Sequence, residues 1–125
     1  MGLLAGLLGN ASQVDNKEVE REVSSTLVPN EEVDIGFKVV RDLIVFTDKR
    51  LILVDKQGMT GKKIEYHTIP YHNIAHYSVE TAGTFDLEAE LKIWVSGTPE
   101  PIVKPFKKDK SIIDVQKALS MYVLG

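Results

Sequence analysis

Three histidines, a ladder of carboxylates and a run of lysines are where this chain could do chemistry. His72 and His76 stand four apart, a spacing that brings two imidazoles to one metal ion when it falls on a helix. Pro70 and the alternating pattern from Asn73 onward put them on an extended strand instead, where four residues span roughly 13 Å, too far for one ion. His67 lies in another alternating stretch. Asp86, Glu88 and Glu90 recur at every second position against an apolar row, the pattern of a solvated or interface-facing acidic ladder rather than of a general acid–base pair. Like charges so arranged are mildly unfavourable until a basic partner comes near.

Nucleophilic chemistry has no carrier here, because the chain has no cysteine and no serine in a Gly-x-Ser-x-Gly elbow. The stretch Gly58-Met59-Thr60-Gly61-Lys62-Lys63 ends like a phosphate loop. It lacks the glycine at the required distance and the hydroxyl after the lysine, so it reads as a turn followed by two exposed lysines. No catalytic residue, metal or cofactor is expected, and the chain is not expected to be an enzyme. Lys104, Lys107, Lys108 and Lys110 place four cations within seven residues, a cluster that could contact anionic lipid or an acidic protein surface.

The composition sets the frame for these side chains. The 125 residues carry 15 Lys and Arg against 18 Asp and Glu, with 43% hydrophobic and 26% charged residues. Such a chain builds one ordinary core, and its slight acidity argues against binding nucleic acid through phosphate neutralisation. The opening MGLLAGLLG is apolar, yet it is far shorter than the ~20 residues of a membrane span and lacks a basic stretch ahead of it. Gly6 stands where a myristoylation motif wants Ser or Thr. A cytoplasmic protein is expected, with residues 1–28 an apolar segment plus helix and residues 29–125 the globular domain. The leucines of the opening segment either lie locally on the chain, insert shallowly in a membrane interface, or cover an apolar patch of a neighbouring subunit.

From Ser12 the pattern is helical, with a capping-box pair Ser12/Asp15 and with Val19, Val23 and Leu27 on one face. Pro29 stops it. Val33, Ile35, Phe37 and Val39 then alternate with Glu32, Asp34, Gly36 and Lys38, predicting a strand with one buried face. Leu43 to Thr47 and Arg50 to Asp55 are continuous apolar runs across Asp48-Lys49, predicting two central strands of a hairpin. Further strands are predicted over 62–69, 73–80 and around Leu87, Ala89, Leu91, Ile93 and Val95, with a proline-flanked edge strand through Ile102, Val103 and Phe106. Ile112, Val115, Leu119 and Tyr122 make a helical stripe at the C-terminus, widened by Ala118 and Val123. The sum is about seven antiparallel strands curling into a barrel or sandwich, with the last helix capping one open end. Trp94 falls on the otherwise polar row of its strand, and a large aromatic there calls for cover by the N-terminal helix or by another subunit.

Several pieces in register resemble the signature of the bacterial pleckstrin-homology-like domains. They are Arg41-Asp42 ahead of the apolar strand, Phe46-Thr47-Asp48-Lys49-Arg50 at the hairpin, Asp55-Lys56-Gln57-Gly58, Gly61-Lys62-Lys63, Ile69-Pro70-Tyr71, and Glu80-Thr81-Ala82-Gly83 before the acidic strand. The resemblance covers about Leu27 to Val123. It implies a mainly β fold of two bent antiparallel sheets, four strands and three, closed by the C-terminal helix. It implies also a non-enzymatic module forming a closed homomeric ring, five subunits favoured, that offers a polar surface to a protein partner. Arg41, Asp42, Lys49, Arg50, Glu80 and Thr81 are the residues expected at that surface. Leu3, Leu4, Leu7, Leu8 and Trp94 are those expected between subunits. Eukaryotic relatives of the fold often grip phosphoinositides with several cations of the first hairpin. Here that hairpin offers only Lys38 and Arg41, beside Asp42, so selective lipid binding is not expected. Peripheral contact with anionic membranes, through the lysine run and the apolar N-terminus, is the alternative function.

Overall fold

A computed structural model describes residues 16–39, 42–57, 62–81, 88–107 and 111–125. The chain divides into two compact units, Met1–Ile69 and Pro70–Gly125. In the first, helix α1 (Asn16–Val23) precedes strands β1 (Val33–Val39), β2 (Asp42–Thr47), β3 (Arg50–Gln57) and β4 (Lys63–Pro70), paired in the order β1-β2-β3-β4. Val19 and Val23 are fully buried, as their spacing requires. The helix ends earlier than the Leu27 stripe suggests. The Ser24 hydroxyl donates to the Arg21 carbonyl, and both the backbone N–H and the hydroxyl of Thr26 donate to the Val23 carbonyl. Hydroxylated side chains next to a helix end compete for its carbonyls and stop it before Pro29. Leu27 still packs on the same cluster as Val19 and Val23, from the loop. A turn then runs Val28-Pro29-Asn30-Glu31, with Asn30 at φ 69° and the Glu31 N–H on the Val28 carbonyl, where Pro then Asn suits a type II geometry.

β2 and β3 are central, and both their faces are buried. On one face Val33, Leu43, Val45, Ile52 and Val54 meet Val19 and Val23 of α1. On the other lie Ile35, Phe37, Ile44, Phe46, Leu51 and Leu53, with Phe37 and Phe46 edge-to-face at 6.2 Å. This double cover explains the unbroken apolar runs of the sequence. It also corrects the reading of β1: Gly36, placed by alternation with the solvent-facing residues, is buried, and a Cβ built there would come 2.7 Å from Val19 Cγ2.

The second unit begins with a 3-10 turn (Tyr71–Asn73), followed by β5 (Ile74–Thr81), β6 (Glu88–Val95), β7 (Ile102–Lys107) and helix α2 (Ser111–Val123). Its sheet runs β5-β6-β7, so β7, which carries Pro105, is an edge as expected. Val95-Ser96-Gly97-Thr98 turns the chain between β6 and β7, with Gly97 at φ 85°, a conformation glycine adopts without a Cβ penalty. α2 buries Ile112, Val115, Ala118 and Leu119, the stripe read from the sequence. Tyr122 stacks on Tyr71 at 4.5 Å, and the Tyr77 and Ser120 hydroxyls are 2.7 Å apart. The fold is thus mainly β with two antiparallel sheets, four strands and three, and a helix near each end of the chain. Among the described residues the pairing leaves two separate sheets and closes no barrel.

Candidate interaction face

The residues expected at a polar surface divide by what their side chains touch. Arg50 is committed to the fold. Its Nε donates to Glu31 Oε2 at 2.9 Å and its Nη2 to Glu31 Oε1 at 2.8 Å, with further bonds to the Thr26 carbonyl and to the Thr68 hydroxyl. The Glu31 side chain is 1% exposed. Thr47 Oγ1 donates to Glu31 Oε2 at 2.6 Å while accepting from the N–H groups of Lys49 and Arg50. The guanidinium hydrogen bond, aided by those from Thr47 and the Val28 N–H, outweighs burial and holds the Glu31 carboxyl down at about 2. Arg50 is raised in turn, first by its bond to Glu31. Arg50 therefore ties the loop after α1 to the β2–β3 hairpin and to β4, and is not a free cation for a partner.

Asp42 is half-buried, and its Oδ1 accepts the Lys56 N–H at 2.9 Å, pinning β2 to β3. Lys49 is exposed at the hairpin turn, 4.0 Å from Asp48. Glu80 and Thr81 are exposed at the end of β5. Arg41, Leu3, Leu4, Leu7, Leu8, Lys108 and Lys110 lie outside the described residues, as does the Ser12/Asp15 pair. The sequence pattern does not point to Glu31, whose partner Arg50 lies nineteen residues further along the chain; its place after a Pro-Asn turn marks only the turn.

The three-stranded sheet sorts its residues by register. Tyr77, Val79 and Thr81 of β5 face Ile93, Leu91 and Ala89 of β6, which face Ile102, Lys104 and Phe106 of β7. This row holds the fully buried Leu91 and Ile93. The other row pairs His76 with Trp94, Ser78 with Lys92, and Glu80 with Glu90, continued on β7 by Val103 beside Lys92 and Pro105 beside Glu90. Here His76, Ser78, Glu80, Val103 and Pro105 are exposed, Val103 to 43%, and Trp94 is half-buried. The His76 and Trp94 rings stack with centroids 4.4 Å apart. The His76 ring therefore covers one side of Trp94, and α1 packs on the four-stranded sheet. In the register of β7, position 104 pairs with Leu91 and position 107 with Glu88.

All three described salt bridges belong to the first unit: Arg50–Glu31, Lys56–Glu22 at 2.8 Å and Lys49–Asp48. No three metal-ligating side chains converge among the described residues. None of the described helices is long and apolar enough to cross a membrane.

A family model, described as the bacterial PH domain, matches residues 2–123. The chain belongs to the bacterial PH domain family. This bacterial PH domain is 60% identical over 121 residues to the uncharacterized protein YjqA of Bacillus subtilis, covering 96% of this chain and 97% of that protein. Among solved structures it is similar to a pleckstrin homology domain from Shewanella amazonensis, with 55% identity, a TM-score of 0.84 and coverage of 99% of this chain and 100% of the other. It is similar also to a protein with a pleckstrin-homology domain from Shewanella loihica, at 47% identity, a TM-score of 0.76 and coverage of 93% and 99%. The PH-like fold expected from the motif string is the fold observed.

Proposed function

We propose that this bacterial PH domain is a non-enzymatic, cytoplasmic protein-interaction module that assembles with copies of itself and offers a polar surface to a protein partner. One observation carries the reading: the solvent-facing row of the β5–β6–β7 sheet holds the Trp94–His76 stack together with exposed Val103 and Pro105. A tryptophan left half-open beside apolar neighbours on a sheet face favours burial against a second surface. β5 and β7 are sheet edges, which adds a row of backbone groups open to pairing where proline does not block it. A contact between unlike faces closes into a ring when its rotation permits, and the resemblance carried by the sequence motifs makes five subunits the favoured count on this reading. The partner surface on this reading includes Lys49, Glu80 and Thr81, the exposed members of the expected set.

Light scattering after gel filtration tests it. A mass of about five chains is expected, with Trp94→Ala shifting the protein toward monomer. A wild-type monomer at micromolar concentration overturns the assembly, and a stable dimer overturns the ring.

A further inference from the structure

His76 is exposed, and its ring lies on Trp94 at 4.4 Å with 25° between the planes. Register decides which charges share its face. The next row holds Ser78 opposite Lys92, and only the row beyond holds Glu80 opposite Glu90, about 13 Å along the strand from His76. Beside those two rows β7 contributes the uncharged Val103 and Pro105, and position 107 follows only beyond them, opposite Glu88. The 3-10 turn at the start of β5 brings only another histidine, His72, and α2 meets β5 through Tyr77, on the opposite row. Among the described residues, the nearest charged side chain by register on that face is thus a cation, Lys92.

We propose that His76 is a proton-controlled switch of association through this face, an inference that rests on the face being the subunit interface. A neutral imidazole stacked on indole can be buried at little cost. An imidazolium cannot, because a charge taken from water without a counter-ion is strongly disfavoured, and Lys92 adds repulsion. A protonated ring does gain from the indole face. That gain is made within one chain, equally in the free subunit and in the assembly, so it does not offset the cost of burying the charge. Histidine is the side chain that ordinarily changes charge between about pH 5 and pH 8, so the contact closes at the alkaline end and opens at the acid end.

The chain has a single tryptophan, so its emission reports this site. Light scattering and Trp94 emission are followed on the full chain from about pH 8 to about pH 5, with circular dichroism to verify that the fold is retained. The expected result is an assembly at the alkaline end, self-association weakened at least about tenfold at the acid end, and an emission change with the same midpoint. His76→Gln should stay assembled throughout, whereas His67→Gln and His72→Gln should keep the transition. Should His76→Gln lose the assembly for want of the stack, His76→Phe, which keeps a ring on Trp94 and takes no proton, must stay assembled in acid. Dissociation of that variant overturns the proposal, and so does an acid transition that persists in His76→Gln. An assembled wild type indifferent to pH overturns the switch alone. A wild type that is monomeric at every pH overturns the interface reading as well.

Discussion

Glu31 is a carboxylate kept charged out of reach of water by one guanidinium, one hydroxyl and one backbone N–H. Removing one partner of such a pair leaves the other charge buried, so Glu31→Gln should cost about 3–5 kcal/mol in urea denaturation. Thr47→Val leaves the Lys49 and Arg50 N–H groups without their acceptor, and should cost about 1–3 kcal/mol. The pH dependence has a definite sign. The folded carboxyl is lowered from 4.5 to about 2, so on acidification the unfolded state binds the proton first. The contribution is complete above about 4.5 and is lost as pH falls toward 2, amounting to about 3 kcal/mol. Denaturation at stepped pH should show this fall in the wild type and a shallower one in Glu31→Gln. Asp34, raised chiefly by burial, contributes a slope of the opposite sign. Arg50 looked like surface in the sequence because charged residues at a hairpin usually are. Its partner lies nineteen residues earlier in the chain, a distance that no local pattern encodes.

Among the elements, α1 has the most exacting seat. Gly36 lets Val19 descend onto β1, and the Cβ of Gly36→Ala would meet a side chain that is itself fully buried. Overpacking of this kind should cost about 1–3 kcal/mol. Val19→Ala in the same chain should recover part of it, seen as a favourable coupling in a double-mutant cycle. The ion pair that joins α1 to β3, Glu22 with Lys56, has side chains 22% and 32% exposed, so Lys56→Met should change stability by less than about 1 kcal/mol. Helix and strand periods told where the elements lie, and the continuous apolar runs of β2 and β3 marked them as central. Alternation in β1 misassigned Gly36 because a period of two reports one buried face and cannot tell that a helix covers the other.

At the scale of the whole molecule, the side of Trp94 that His76 leaves open is the place to test self-association. Trp94→Ala should weaken self-association at least tenfold, or about 1.4 kcal/mol, measured by sedimentation or by dilution in light scattering, while leaving the monomer folded. A variant that associates as tightly as the wild type would move the interface elsewhere. The sequence by itself determined a chain of about seven antiparallel strands, its central hairpin, its proline-marked edge and its terminal apolar helix, because each is written in periods of two or 3.6 and in turn residues close along the chain; the division into sheets of four and three strands came from the resemblance of its motifs to a family. The sequence also placed Trp94 on a polar row. What only the tertiary structure decided are the pairings over long separations: Glu31 with Arg50, Val19 over Gly36, and His76 on Trp94. Register and helix docking bring those groups together, and both depend on which faces find each other when the chain collapses, not on any residue's neighbours in sequence.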